Sequence, residues 1–182
     1  DYGQAEWQSY ARAYGSVRAM VDEQVGRIYD AVDLDNTVVI YVSDHGNNLI
    51  RKVTPAGVVT TFAGSGAAGA ADGNGRTATF KFPNGIAADS AGNVYVADTD
   101  NQLIRKISPS GDVTTIGGSG QTGSADGVGV AATFYNPMDV AIDASGNLIV
   151  ADRANNTIRK GSAQSASTVS QADCLFNWAE AN

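Results

Sequence analysis

The sequence predicts a mostly β fold: a partial β-propeller of two to three four-stranded blades, with an N-terminal amphipathic helix before it and a short C-terminal helix after it. Three observations predict this. A gapless repeat of 54 residues runs through the centre of the chain, set by Asp44, Asp98 and Asp152 (98 − 44 and 152 − 98). Within each repeat, β-branched and apolar runs of about five residues alternate with Gly, Asn, Asp and Pro, the composition of short strands and tight turns. Ahead of the repeat, Tyr10, Tyr14, Val17, Val21, Val25 and Ile28 recur at three- and four-residue steps, which draws one apolar stripe along a helix.

The helix comes first, over residues 4–30. Gln4, Arg12, Arg18, Glu23 and Gln24 take its wet side, and the stripe packs on an apolar surface such as an edge or face of the sheets. The repeat follows. Its step links Ile50, Ile104 and Ile158, then Arg51, Arg105 and Arg159, and continues through the pairs Asp72/Asp126, Phe80/Phe134, Pro83/Pro137 and Asp89/Asp143. In the complete central unit, "GIAAD" (85–89) leads through "SAGN" to "VYVAD" (94–98). "TDNQ" then leads to "LIRKIS", and "PSGD" leads to "VTTIGG". Four short strands joined by tight turns is the layout of a propeller blade. The 21 glycines fit a chain with many turns. Residues 161–171 are small and polar, as in a linker, or hold a ragged last strand at Ser167–Ser170. Residues 172–182 bring Leu175, Phe176 and Trp178 close together, a short helix capped by Ser170 or Asp173. Trp178 and Phe176 are expected to dock on an apolar patch of the sheets rather than to bind a partner. The segments are thus 1–37, 38–160 and 161–182.

Charge narrows the partners. A net charge of −7 opposes a sequence-independent grip on nucleic acid, which requires Lys and Arg to displace counterions. It opposes an anionic membrane for the same reason. The basic pairs Arg51–Lys52, Arg105–Lys106 and Arg159–Lys160 recur once per repeat, a spacing suited to salt bridges along the sheets. The single cysteine, Cys174, excludes an internal disulfide and leaves the compartment open. As a nucleophile Cys174 needs a base, and nothing in the sequence brings His45, the one histidine, beside it. No uninterrupted apolar run approaches the roughly 20 residues of a membrane span.

The stretch "FPNGIAADSAGNVYVADTDNQLIRKISPSGDVTTIGG" (82–118) and its copies resemble the NHL repeat family of β-propellers over residues 38–160. The long loops 65–80 and 119–134 are similar to the inter-blade connections of bacterial NHL proteins. Their Asp-Gly-x-Gly runs offer one Asp each, too few for a calcium loop, and read as Gly-rich turns. The resemblance implies a non-catalytic scaffold or binding module for protein or glycan, using the loop-rich face. On that face it places Asp98, Asp100, Asn101, Asp152 and Asn155 as the binding surface. Two or three blades do not close a ring, so a homo-oligomer, dimer or trimer, is expected to complete it. A metal-dependent propeller hydrolase or lyase is the alternative, for which the repeats are poor in His and Glu.

A second resemblance covers residues 9–46. "SYARAYGSVRAMVDEQVGRIYDAV" followed by "LDNTVVIYVSDHG" is similar to a segment of the sulfatase family. It implies a cation site at Asp44 and His45, with calcium as the usual ion; no other cofactor is expected. The chain departs from that family where catalysis lives: Cys174 lacks the Cys-x-Pro-x-Arg setting, and the early paired aspartates and further His and Lys residues are missing. The repeat reading makes Asp44 a turn residue first, since Asp98 and Asp152 fill its place without a histidine beside them. The seam between the two patterns reads as a natural fusion, a recombination product or an engineered chimera. The C-terminal "ADCLFNWAEAN" (172–182) resembles a short C-terminal motif of some bacterial exported proteins, and an extracellular or periplasmic address is favoured.

Overall fold

The computed structural model describes residues 39–163 and 176–181. The expected helix over 4–30, the segment 1–37, the strand at Ser167–Ser170 and Cys174 lie outside the described residues. The three sheets belong to one compact unit, Ile40–Val53 and Val59–Asn182. The other unit, Asp1–Val39 with Thr54–Val58, contributes a described turn in which Gly57 N–H donates to the Thr54 carbonyl at 2.8 Å.

The fold is mostly β, in antiparallel sheets. The first sheet holds β1 (Ile40–Asp44), β2 (Leu49–Val53) and β3 (Val59–Ala63), in that order. The second holds β4 (Pro83–Ala88), β5 (Val94–Asp98), β6 (Leu103–Ile107) and β7 (Val113–Gly117), again in chain order. The third holds β8 (Gly127–Val128), β9 (Pro137–Ile142), β10 (Leu148–Asp152), β11 (Thr157–Ala163) and β12 (Phe176–Glu180), in the order β8-β12-β11-β10-β9.

The repeat is visible in the hairpins. β1 and β2, β5 and β6, and β10 and β11 pair in the same register, with Asp44 opposite Leu49, Asp98 opposite Leu103 and Asp152 opposite Thr157. Each turn is a single 3-10 turn closed by a residue in the left-handed region: Asn48 at φ 55°, Gln102 at φ 58° and Asn156 at φ 56°. Asn tolerates that conformation because its short amide bonds locally, which explains its recurrence there.

Period-two alternation gives the second sheet two apolar faces. Val94, Val96, Ile107 and Val113 pack with Ile50 and Ala63 of the first sheet and with Ala78 and Phe80 of the connecting loop. Tyr95, Ala97, Ile104 and Ile116 pack on the other side with Phe134, Leu148, Val150 and Trp178. A strand buried on both faces reads as a continuous apolar run, and "VYVAD" is buried throughout. Strands β4 and β9 approach so closely that a Cβ on Gly85 would collide with Asp139.

The C-terminal helix is a correction. Phe176–Glu180 is a strand, paired with β11 on one side and β8 on the other. Trp178 stands opposite Gly161 as Val113 stands opposite Ile107. The 54-residue step would have put Ser167 there. The clustering of Leu175, Phe176 and Trp178 suggested a helix, but Phe176 and Trp178 are two residues apart with exposed Asn177 between them, which is strand alternation. What selects the strand is the edge of β11, whose N–H and C=O groups need partners.

The expected docking of both aromatics on the sheets is observed, inside the strand. Trp178 is fully buried, meets the Phe134 ring edge-on at 5.2 Å and donates its Nε1–H to the Ile116 carbonyl at 3.1 Å. Gly117 and Gly161 flank it: a Cβ on either would come within 2.6 Å of the indole. Both glycines are therefore required by close approach. Trp178→Ala is expected to cost about 3–5 kcal/mol, the range for emptying a large aromatic site. Gly161→Ala is expected to destabilise by overpacking the same slot, about 1–3 kcal/mol. Urea unfolding of the three proteins side by side checks both.

Candidate functional site

The charged residues singled out by the repeat assemble into two equivalent clamps. Asp98 ends β5 and Arg105 lies on β6, so the hairpin register brings them together across the strand pair. Arg105 Nη1 donates to Asp98 Oδ2 at 2.8 Å and to the Thr79 carbonyl at 3.1 Å. Its Nη2 donates to Asp72 Oδ1 at 2.7 Å and to the Ala71 carbonyl at 2.9 Å. The guanidinium lies 5.2 Å from the centre of the Phe80 ring, a cation–π contact. Asp72 also accepts the backbone N–H of Thr115 at 3.0 Å, so the long loop is bound to β6 and β7 together.

The second clamp repeats the first. Arg159 bonds Asp152 at 3.4 Å, Asp126 at 2.6 Å and the carbonyls of Thr133 and Ala125, both at 3.1 Å, with Phe134 beneath it at 5.3 Å. Both arginines are buried, as are Asp98 and Asp152. The expectation of salt bridges along the sheets holds for Arg105 and Arg159, and there it extends to loop carbonyls and loop aspartates that the sequence reading took for plain turns. The signal was present: Asp72 and Arg105 share one separation with Asp126 and Arg159.

Two of the five residues expected on a binding surface are corrected by their burial. Asp98 and Asp152 point into the clamps, because a strand-end carboxylate beside a buried guanidinium is desolvated with it. Asp98 also accepts N–H from Lys81 at 2.8 Å and from the Asn101 amide at 2.8 Å. Burial pushes the Asp98 carboxyl up from its usual range, against the pull of the Asn101 and Lys81 donors and of Arg105. Asn101 and Asn155 are half-buried and spend their amides on the Gly69 and Gly123 carbonyls, each at 2.7 Å. Asp100 is exposed and faces Lys81 at 3.8 Å.

The pair carried by the sulfatase-like resemblance divides. Asp44 Oδ1 accepts the Asn47 amide at 2.9 Å, the bond that Asp98 takes from Asn101 and Asp152 from Asn155. Asp44 is thus a turn residue of the repeat. His45 is exposed and lies against Phe82 at 4.8 Å between ring centres. Among the described residues, no group of three or more His, Cys, Asp or Glu side chains comes together around a common point.

Phe82 is the residue the sequence reading missed. It sits at φ 49°, exposed, a conformation rare for a bulky side chain. Its counterpart Asn136 has the same backbone, φ 52°, and bonds Gln102 in both directions through side chain and backbone. Phe82 keeps the backbone bond alone, N–H to Asn48 Oδ1 at 3.0 Å, and turns its ring to His45.

Comparison with known proteins places these features. Residues 80–107 and 134–160 match the NHL repeat. The chain is 35% identical over 89 residues to protein SUPPRESSOR OF QUENCHING 1, chloroplastic, of Arabidopsis thaliana, a match covering 48% of this chain and 8% of that protein. A structural genomics protein of unknown function from Bacteroides thetaiotaomicron superposes with a TM-score of 0.63 at 32% identity, over 67% of this chain and 32% of that one. An auxiliary nutrient binding protein from Bacteroides ovatus superposes with a TM-score of 0.59 at 26% identity, over 67% of this chain and 34% of that one. The chain thus spans a small part of its curated relative and about a third of these solved chains. Together the matches support an NHL-repeat β-propeller family.

Two predictions follow from the charges. Arg105→Ala is expected to cost about 3–5 kcal/mol, because Asp98 is left buried without its opposite charge. Asp100→Ala, at an exposed ion pair, is expected to stay within about 0.5 kcal/mol of the parent. Chemical denaturation of both separates clamp from surface. The second prediction concerns acid. Burial raises the Asp89 carboxyl, but N–H donors from Asn93 and Ala91 and the Tyr95 O–H outweigh it and hold the group below its usual range. The Asn147 and Ser145 donors lower Asp143 in the same way. A lowered folded-state pKa stabilises the fold above the unfolded value and is lost as pH falls through the folded value. The melting temperature is therefore expected to fall as pH drops from about 5 to below about 3, and Asp89→Asn with Asp143→Asn to flatten part of that fall.

Proposed function

We propose that the chain is a non-catalytic NHL-type binding module whose ligand is a glycan, taken on the loop surface around His45 and Phe82. The exposed Phe82–His45 pair carries the reading. The second copy of this corner uses Asn136, a residue that tolerates the left-handed region better than Phe and bonds Gln102 through its side-chain oxygen and its N–H. A bulky ring kept exposed in a left-handed backbone is a cost, and strain of this sort concentrates at binding sites. An exposed aromatic face is the surface on which the C–H face of a sugar ring stacks.

The rest of the loop chemistry fits the same use. The clamps absorb Asp98, Arg105, Asp152 and Arg159, so these groups serve rigidity rather than chemistry on a substrate. Asp100 and Lys81 remain on the surface to accept and donate hydrogen bonds. The likeness at 26% identity to an auxiliary nutrient binding protein supports a ligand-binding role over a reaction. Completion of the propeller by further blades belongs to this reading.

The test is a glycan array probed with the purified chain, followed by titration calorimetry with the retained sugar. Phe82→Asn installs the residue that the repeat already uses at this backbone. It is expected to raise the melting temperature slightly, by relieving the left-handed backbone, and to weaken binding about tenfold, the equivalent of about 1.4 kcal/mol of lost stacking. Equal affinity in the variant, or sugar converted to product during titration, would overturn the reading.

A further inference from the structure

The repeat assigns each apolar position of one sheet a counterpart in the others, so exposure can be compared like for like. On the face that the second sheet turns to the first, Val94, Val96, Ile107 and Val113 are buried. The third sheet turns the matching face to the second, with Leu148, Val150 and Trp178 buried. The first sheet has the same face, but its residues are open: Ile40 is 40% exposed, Val42 43% and Val59 52%. The opposite face behaves likewise. Ile50 of the first sheet and Ile104 of the second are fully buried, whereas Ile158 of the third is 48% exposed. Around Ile158, Ile149 and Ala151 are only half-buried, while their counterparts Tyr95 and Ala97 are buried.

The two open faces are therefore different from each other, and each is the mate of the other. The face around Ile158 is of the kind that covers Val94 and Val96 in this molecule. The face around Val42 is of the kind that covers Ile104. We infer that these faces bind each other between copies: the Ile158 face of one chain receives the Val42 face of a second, twice, so that two copies close one ring. This rests on the propeller reading above. Propellers hold about four to eight blades. Two copies of the three sheets bring six, whereas a further copy exceeds the range. The contact is head-to-tail and closes by a two-fold axis. It hides apolar surface that would otherwise promote association without limit.

Sedimentation equilibrium of the full chain, without ligand, is the test. The expected mass is twice 18.7 kDa. Ile158→Glu and Val42→Glu are each expected to yield monomers. Both side chains are already solvent-exposed, and an unchanged circular dichroism spectrum and melting curve would show that folding is intact. Mixing the two variants supplies the decisive readout. Each retains the face that the other has lost, so a mixture is expected to regain a dimer through one intact contact. A dimer that survives Val42→Glu and is lost only in Ile158→Glu would mean like-to-like pairing and overturn the inference. So would a monomeric parent chain, a trimer, or a mixture that stays monomeric. Sugar binding measured on the Ile158→Glu monomer keeps the two readings separate, since it tests the His45–Phe82 surface whatever the assembly.

Discussion

The buried guanidinium of each clamp is the constraint on which the other features rest. Arg105 sits where a hairpin and a long loop converge, and its two terminal nitrogens bond partners from both, Asp98 at the end of β5 and Ala71, Asp72 and Thr79 of the loop, while Asp72 carries the link on to β7. A charge out of water is tolerated only when it is paired and hydrogen-bonded. The position of loop 65–80 is thereby tied to the position of β6, and the burial of Phe80 beneath the guanidinium follows from both. The same arrangement around Arg159 positions Phe134, which in turn meets Trp178. Loops of this length would otherwise pay a large ordering entropy. Here they are held by a few strong bonds and leave their tips free to vary.

This division of labour bears on function. The residues that look most chemical in the sequence, the recurring aspartates and arginines, are the most structural in the fold. The residues that break the repeat, His45 and Phe82, are the ones left on the surface. In a repeat protein each unit is required to satisfy its neighbours, so departures from the pattern at exposed positions are where specificity can reside at small cost to stability. Phe82 bears a larger conformational cost in the left-handed region than Asn136 does, and the difference between those two corners is the most specific feature of the loop surface.

The sequence disclosed much of this because strand signals and turn chemistry are local. The strands β5 and β6 fall where "VYVAD" and "LIRKI" predicted them, and the αL amides at Asn48 and Asn156 follow from composition. The salt-bridging role of Arg105 and Arg159 was also legible, from their one-per-repeat spacing. The strand at Phe176–Glu180 was not. Its apolar residues are too few to declare a period by themselves, and its identity comes from the edge of β11 that it pairs with. Asp98 and Asp152 were misread as surface for a related reason. Strand-end aspartates look solvent-facing in one dimension, and only the folded chain brings a guanidinium over them.

By itself the sequence determined the repeat, the period-two strands, the positions of the turns and the identity of the charged pairs, since all of these depend on neighbours close along the chain. The tertiary structure alone decided which carboxylates are buried, that Trp178 fills a slot between Gly117 and Gly161, and that Phe82 meets His45. Among the described residues it also decided which apolar side chains are buried between sheets and which are exposed. Those outcomes depend on contacts between residues far apart in the chain, and burial is a property of the packed sheets rather than of any one stretch of residues.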